Sequence, residues 1–295
     1  MMPYTSKQAP PRERICGVAL VRIVVAGLLF GGVILYFGWP STDPRPAHDA
    51  TTPAVAAAPT APPERSIHYP VENIRGASKP PPYFRRVPLP ALDDSDFTVN
   101  DSVEAFLGSG AFMRLLVHQS LVRHIVATVD SLPRKELAER VRPIKPAPGR
   151  LLIDVGAHGM SIAHANADRY AAYVAAAESI DTGLLVQSYI RLYPLFQQAY
   201  VELGDPNGYF NDRLVTVIDH LLAAPEALAP VEVWQPHILY QYADPDLEGL
   251  SSGQKILVRI GADNERRVKA VLQEIRAALT TTERDPPETP LSSLR

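Results

Sequence analysis

Hydrophobic and polar positions fall into three regimes along the chain. Ile23 to Trp39 reads IVVAGLLFGGVILYFGW, an apolar run without a charge, and Val18 to Val21 extend it on the far side of Arg22. A helix over residues 18–39 would be about 33 Å long, against roughly 30 Å of bilayer hydrocarbon, so it is long enough to span. Residues 40–92 hold no helical or strand period. From Asp93 onward the spacing becomes periodic and mostly helical.

Within this last regime the pattern predicts a short helix near Ser102–Phe106 and a longer one over Ala111–Ser131, stopped by Pro133. Residues 150–163 read as a β-hairpin, with RLLIDV and MSIA flanking GAHG. Asn166 is placed to cap a helix running to about Ser179. Between Asp181 and Leu203 the residues Leu185, Tyr189, Tyr193, Phe196, Tyr200 and Leu203 form one stripe, with Pro194 as a kink point. A further helix follows within DPNGYFNDRLVTVIDHLLAAP, and VEVW at 231–234 is a strand suited to join the hairpin. Ser251 with Gln254 forms a capping-box pattern, Gly261 stops that helix, and Asp263–Leu279 supplies the last one. The expected fold class is mainly α: a helical domain with a small β-hairpin, preceded by one transmembrane helix and a Pro/Ala-rich linker.

Composition locates the linker. The chain has 29 prolines in 295 residues, and 13 of them fall between Pro40 and Pro90. Such a segment buries too little apolar surface to offset its ordering entropy, and proline holds it extended. The division is therefore a 1–17 N-terminal segment, an 18–39 transmembrane helix, a 40–92 disordered tether, a 93–282 helical domain and a 283–295 disordered tail. Lys7, Arg12, Arg14 and Arg22 precede or open the span and Arg45 follows it, which sets the N-terminus in the cytoplasm. The expected location is a bacterial inner membrane, crossed once, with the domain in the periplasm. A cleaved signal peptide fits less well, because the apolar run is too long and Gly-Trp-Pro follows it instead of a small-residue site. Gly27 and Gly31 make a G-x-x-x-G through which two such helices can approach as a homodimer.

Charge narrows the partners. The net charge is -3, but residues 1–90 carry +5 and residues 91–282 carry -7. An acidic domain is poorly suited to nucleic acid or anionic lipid, so the expected partners are the membrane, through the single span, and a protein or envelope component. One cysteine, Cys16, excludes a disulfide framework within the chain.

Three longer strings carry a family resemblance: LPRKELAERVRPIKPAPG from Leu132, GYFNDRLVTVIDHLLAAPE from Gly208, and ILYQYADPDLEGLSSGQKILVRIGADNERRVKAVLQEIRAAL from Ile238. They resemble the domain of unknown function 3014 family of bacterial envelope proteins, over about residues 88–280. The sequence departs at Ala262, where proline is expected, and in the hairpin turn. The resemblance implies an anchor-plus-domain topology and supplies no activity.

Candidate chemistry is sparse. Tyr209, Asn211, Asp212, Arg213, Asp219 and His220 form the densest polar group; on a helix Asp212 and Asp219 share one face, and Arg213 and His220 form a parallel row. Two carboxylates, an imidazole and a guanidinium suit acid/base work or anion binding. They equally suit capping and interhelical bonds. The eight histidines lack zinc-site spacing, and neither G-x-S-x-G nor a phosphate-loop motif occurs. Asp244, Asp246 and Glu248 have the spacing of a calcium ladder but lack its later glycine and glutamate, and Asp244 before Pro245 reads as a helix cap. No cofactor is expected. The expected function is an envelope binding or scaffold module, with an enzyme using the Tyr209–His220 group as the alternative.

Overall fold

A computed structural model describes residues 66–75, 88–137, 142–157 and 159–282. The expected membrane helix, with Gly27 and Gly31, lies outside them; among the described residues no helix is long and apolar enough to cross a membrane.

Nine α-helices are present among these residues: α1 (Asp96–Leu107), α2 (Ser109–Leu115), α3 (Leu121–Ser131), α4 (Ala171–Glu178), α5 (Thr182–Leu203), α6 (Phe210–Leu222), α7 (Pro245–Glu248), α8 (Ser252–Ile260) and α9 (Ala262–Thr280). Helices α3, α5, α6 and α9 pack together around the main core. The aromatic stripe of α5 is core. Tyr189, Phe196 and Tyr200 turn inward, and the Phe196 and Phe210 rings stack at 5.8 Å. Asp181 caps α5 by accepting from the Leu184 N–H at 3.0 Å, and the helix runs through Pro194, which removes one donor from its ladder.

The expected helix over 111–131 is two. The Asp96 carboxylate accepts the N–H groups of Ser120 and Leu121 at 2.7 and 3.1 Å, Ser120 adopts a left-handed backbone, and Leu116 pairs with Ile144. A side chain from another helix therefore starts α3 where the apolar period alone would have continued α2. Asn166 is also not a cap. It is buried within a 3₁₀ segment, His164–Tyr170, accepting from Arg169 at 2.8 Å and donating to the Arg259 carbonyl at 3.1 Å.

The expected hairpin is half of a four-stranded antiparallel sheet, ordered β1 (Ile153–Gly156), β2 (Gly159–Ile162), β3 (Glu232–Trp234) and β4 (Gln241–Tyr242). Val155, Met160, Val233 and Tyr242 lie across from one another in register. Val233 and Tyr242 pack with Val258 of α8 in a second, smaller core, and the Tyr242 hydroxyl donates to the Lys255 carbonyl at 3.0 Å. The strand expected at 231–234 joins the hairpin; the two-residue β4 is too short to leave a period.

The ordered unit begins upstream of residue 93, in what composition assigns to the tether. A strap at 66–75 contains a 3₁₀ turn, Val71–Asn73, and buries Val71 and Ile74; Leu92 is buried too. Ile74 bridges Thr282, and the Arg75 N–H donates to the Thr281 carbonyl at 3.0 Å. The strap thus pairs with the end of α9.

Helix α8 shows how closely the elements meet. Its capping box is complete, with Ser251 accepting from the Gln254 N–H, and its Ser252 and Gly253 N–H groups donate to the carbonyls of Arg134 and Leu132 at 2.7 and 2.9 Å. A Cβ at Gly253 would stand 2.6 Å from Leu221 Cδ2 and 3.1 Å from the Leu132 carbonyl oxygen. Glycine to alanine inside a helix ordinarily stabilises by up to about 1 kcal/mol. Gly253→Ala is instead expected to destabilise by about 1–3 kcal/mol through overpacking, read as a lowered denaturant midpoint.

Candidate functional site around the polar face of helix α6

Helix α6 presents its apolar residues Val215, Ile218 and Leu221 to the core, which leaves the predicted polar group on its remaining sides. The helix begins after Tyr209, whose side chain makes no cap. Gln197 of α5 does that work by accepting the Phe210 N–H at 2.9 Å and donating to the Gly208 carbonyl at 2.7 Å. Asn211 and Asp212 are therefore not caps, as their type suggested, and both are free to reach the strap.

Three of the six residues hold the strap by its backbone. Asp212 accepts the N–H groups of His68 and Tyr69 through separate oxygens, at 2.9 and 2.8 Å. Asn211 donates to the Tyr69 carbonyl at 2.8 Å and accepts from the Tyr189 hydroxyl at 3.1 Å. The Tyr209 hydroxyl accepts the Val71 N–H at 2.8 Å, while its ring packs on Tyr193 at 5.4 Å. The His68 imidazole lies 3.5 Å from Asp212.

The other three look elsewhere. Arg213 donates through Nε to the Asp130 carboxylate at 2.9 Å and through Nη2 to the Asp130 carbonyl at 2.8 Å, so it closes the C-terminal end of α3. Asp130 is 9% exposed and also pairs with Arg134. Asp219 pairs with Arg276 of α9, whose guanidinium is held above its ordinary range by that hydrogen bond. His220 Nε2 lies 2.8 Å from the Ser251 hydroxyl, and its carbonyl accepts from Gln254 at 3.0 Å.

The His220–Ser251 contact has the spacing of a base and a nucleophile. Its surroundings assign it another role. Ser251 is buried and its oxygen caps α8, while the charge acting on His220 is the Arg213 cation; Asp219, the adjacent carboxylate, is committed to Arg276. Burial first and Arg213 second push the His220 pKa down, which keeps the ring neutral.

Asp212, Arg213 and Tyr209 border an open cleft of about 650 Å³, together with Asp130, Asp205 and strap residues 66–68. Asp219 and His220 do not line it. Asp130 and the strap escape a sequence reading because Asp130 sits some eighty residues away inside an amphipathic helix, and the strap lies in proline-rich composition. The signal that could have found the strap is the aliphatic pair Val71 and Ile74, three apart between polar residues. Among the described residues no group of three His, Cys, Asp or Glu side chains is arranged to hold a metal ion.

Fold and site together define a mainly helical domain with a small antiparallel sheet, in which the polar group of α6 is engaged in internal bonds. The sequence profile of the family described as "Protein of unknown function (DUF3014)" matches residues 121–276, from the start of α3 into α9, and the chain belongs to that family. No curated protein and no solved structure matches it.

Removing the Asp130 side chain takes the carboxylate away from the half-buried guanidinium of Arg213 and leaves it the Asp130 carbonyl. Asp130→Ala is expected to destabilise by about 2–3 kcal/mol, more than Asp219→Ala, which breaks an exposed pair worth about 1 kcal/mol or less; chemical denaturation of the two variants makes the comparison. A depressed histidine pKa means that the unfolded chain binds the proton more readily. Stability is then full above the ordinary value of 6.5 and falls as the pH drops below it. His118 and His124 are lowered by burial too and act in the same sense. The melting temperature is expected to fall between pH 7.5 and 5.5, and His220→Gln, which cannot titrate, to shrink that fall.

Proposed function

We propose that the protein is a single-pass inner-membrane protein of the bacterial envelope, whose helical domain stands in the periplasm on a Pro/Ala-rich tether and works as a binding or scaffold module. The anchor and its orientation rest on the apolar run 23–39, its extension over 18–21, and the basic residues before and at the start of the span. The observation that carries the binding reading is the bonding of the α6 group. Both Asp212 oxygens accept backbone N–H groups, Arg213 is taken up by Asp130, and His220 is turned to the α8 cap, so the acids and bases of the group are engaged with separate segments and are not paired with one another. That arrangement favours recognition over the alternative of an enzyme using Tyr209–His220. The cleft beside the strap is the natural contact surface, since it is concave, polar and bordered by exposed residues.

A photo-crosslinking residue at Thr216, on the cleft wall, tests the reading in intact cells. The expected product is a discrete adduct with an envelope component, absent when the crosslinker is moved to Glu274 on α9. Turnover by the purified full-length chain, with no adduct from Thr216, would replace the binding reading with the enzymatic one.

A further inference from the structure

The four helices of the main core do not close completely on one another. Between α3, α5, α6 and α9 lies a space of about 100 Å³, walled by Val129, Leu192, Val217, Ile218, Leu272 and Ile275 among others. Its lining side chains are buried except for Leu185 and Leu214, which are half-buried, so any way in lies at those two. It shares no lining residue with the polar cleft beside the strap. Protein interiors ordinarily pack without gaps of this size, because a wall that faces no atoms forfeits its dispersion contacts.

Ser188 of α5 gives this space its chemistry. It lines the wall, is 2% exposed, and its hydroxyl has no hydrogen-bond partner among the described residues. A serine within a helix commonly turns its hydroxyl back to the carbonyl four residues earlier, but that of Ser188 makes no bond to Leu184. The neighbouring Tyr189 hydroxyl is given to Asn211 at 3.1 Å. A buried hydroxyl without a partner is a cost that folded proteins rarely carry. Water does not relieve it here, since a buried water needs about two to four polar partners and the rest of the wall is hydrocarbon and aromatic ring. An apolar molecule with one polar group satisfies both the wall and the hydroxyl.

Volume and shape narrow the class further. A cavity of about 150 Å³ accepts benzene, so this smaller space, with side chains that can yield at Leu185 and Leu214, takes at most a single ring. Phe196 and Phe210 stack nearly parallel with centroids 5.8 Å apart, and Tyr189 lies 5.6 Å from Phe196, which supplies aromatic walls for a ring to pack against. None of the lining residues is charged, and an ionised group would be buried there without compensation.

We infer that the space between α3, α5, α6 and α9 is a binding site for a small, uncharged, apolar molecule, no larger than a single six-membered ring, that carries one hydroxyl or carbonyl group and takes the Ser188 hydroxyl as its hydrogen-bond partner. The site lies apart from the polar cleft and does not depend on the reading of the domain as a partner-binding module. A ligand held inside the folded core binds the native chain alone, so it raises the melting temperature by mass action.

Phenol and benzene serve as probes, titrated against the full-length chain in detergent, with the melting temperature as the readout and hydrogen exchange to locate the effect. Phenol is expected to raise the melting temperature and to increase protection in α5 and α6. Each probe is compared between variants in the same detergent, so its uptake by micelles cancels. Ser188→Ala is expected to keep the benzene response and to weaken apparent phenol affinity at least tenfold, because the phenol hydroxyl is then buried without a partner. By itself Ser188→Ala should melt no lower than the unaltered chain, since it removes no bond. 2-Naphthol, with two rings, is expected to add no protection. A melting temperature that phenol leaves unmoved overturns the inference, as does a phenol response that Ser188→Ala leaves unchanged. A marked loss of stability in Ser188→Ala overturns it too, because the hydroxyl is then bonded within the native protein. An effect of 2-naphthol equal to that of phenol has the same consequence, since binding outside the enclosed space ignores size.

Discussion

Asn211 has no exposure to solvent, and a buried amide must find its hydrogen bonds inside the protein. It finds them in two different places, the Tyr189 hydroxyl of α5 and the Tyr69 carbonyl of the strap. This requirement ties together three segments that are distant in sequence. With Asn211 fixed, the next residue points its carboxylate along the same strap, Arg213 is directed toward α3, and the N-terminus of α6 is set against Gln197. The bonds of the polar face and the apolar packing of the opposite face are consequences of one helix placement.

The same economy explains why the polar group looks like a site and behaves as a clasp. A desolvated carboxylate is tolerated where charge-assisted or multiple hydrogen bonds replace its water, and Asp212 meets that condition with two backbone donors, Asp130 with two guanidinium groups. Groups engaged in this way stabilise contacts between segments but hold no proton ready for transfer. Burial acts in the same direction on the tyrosines of α5. Tyr189 and Tyr193 are pushed above the usual phenol range, so they remain neutral hydrogen-bonding and packing groups. What remains open to solvent is the cleft at the end of the strap, and its chemistry is that of contact.

Much of the fold was legible because it follows from local rules. The capping box at Ser251 and Gln254, the stop at Gly261 and the alternation around residues 150–163 each concern groups within a few positions of one another, and each element stands where those rules put it. Where an element depended on a distant side chain, local rules failed. The break between α2 and α3 is made by Asp96, and Asn166 is drawn away from capping by Arg169 and Arg259. The strap was hidden for a related reason: proline-rich composition argues correctly against a self-sufficient element, but a segment can be ordered by what it lies on. The six residues of the polar group were identifiable from their density, while their division between the strap, α3, α8 and α9 was not.

The amino-acid sequence by itself determined the mainly helical class, the aromatic stripe of α5, the capping box at Ser251 and the amphipathic face of α6, since these depend on period, propensity and backbone groups near in the chain. It also determined the apolar run at 18–39 and the acidic balance of the domain. Only the tertiary structure decided that Asp212 would hold His68 and Tyr69, that Arg213 would meet Asp130, and that a fourth strand would complete the sheet. Such pairings join residues tens to more than a hundred positions apart, where many partners of equal chemistry compete, and the packing of the apolar faces selects among them by distance.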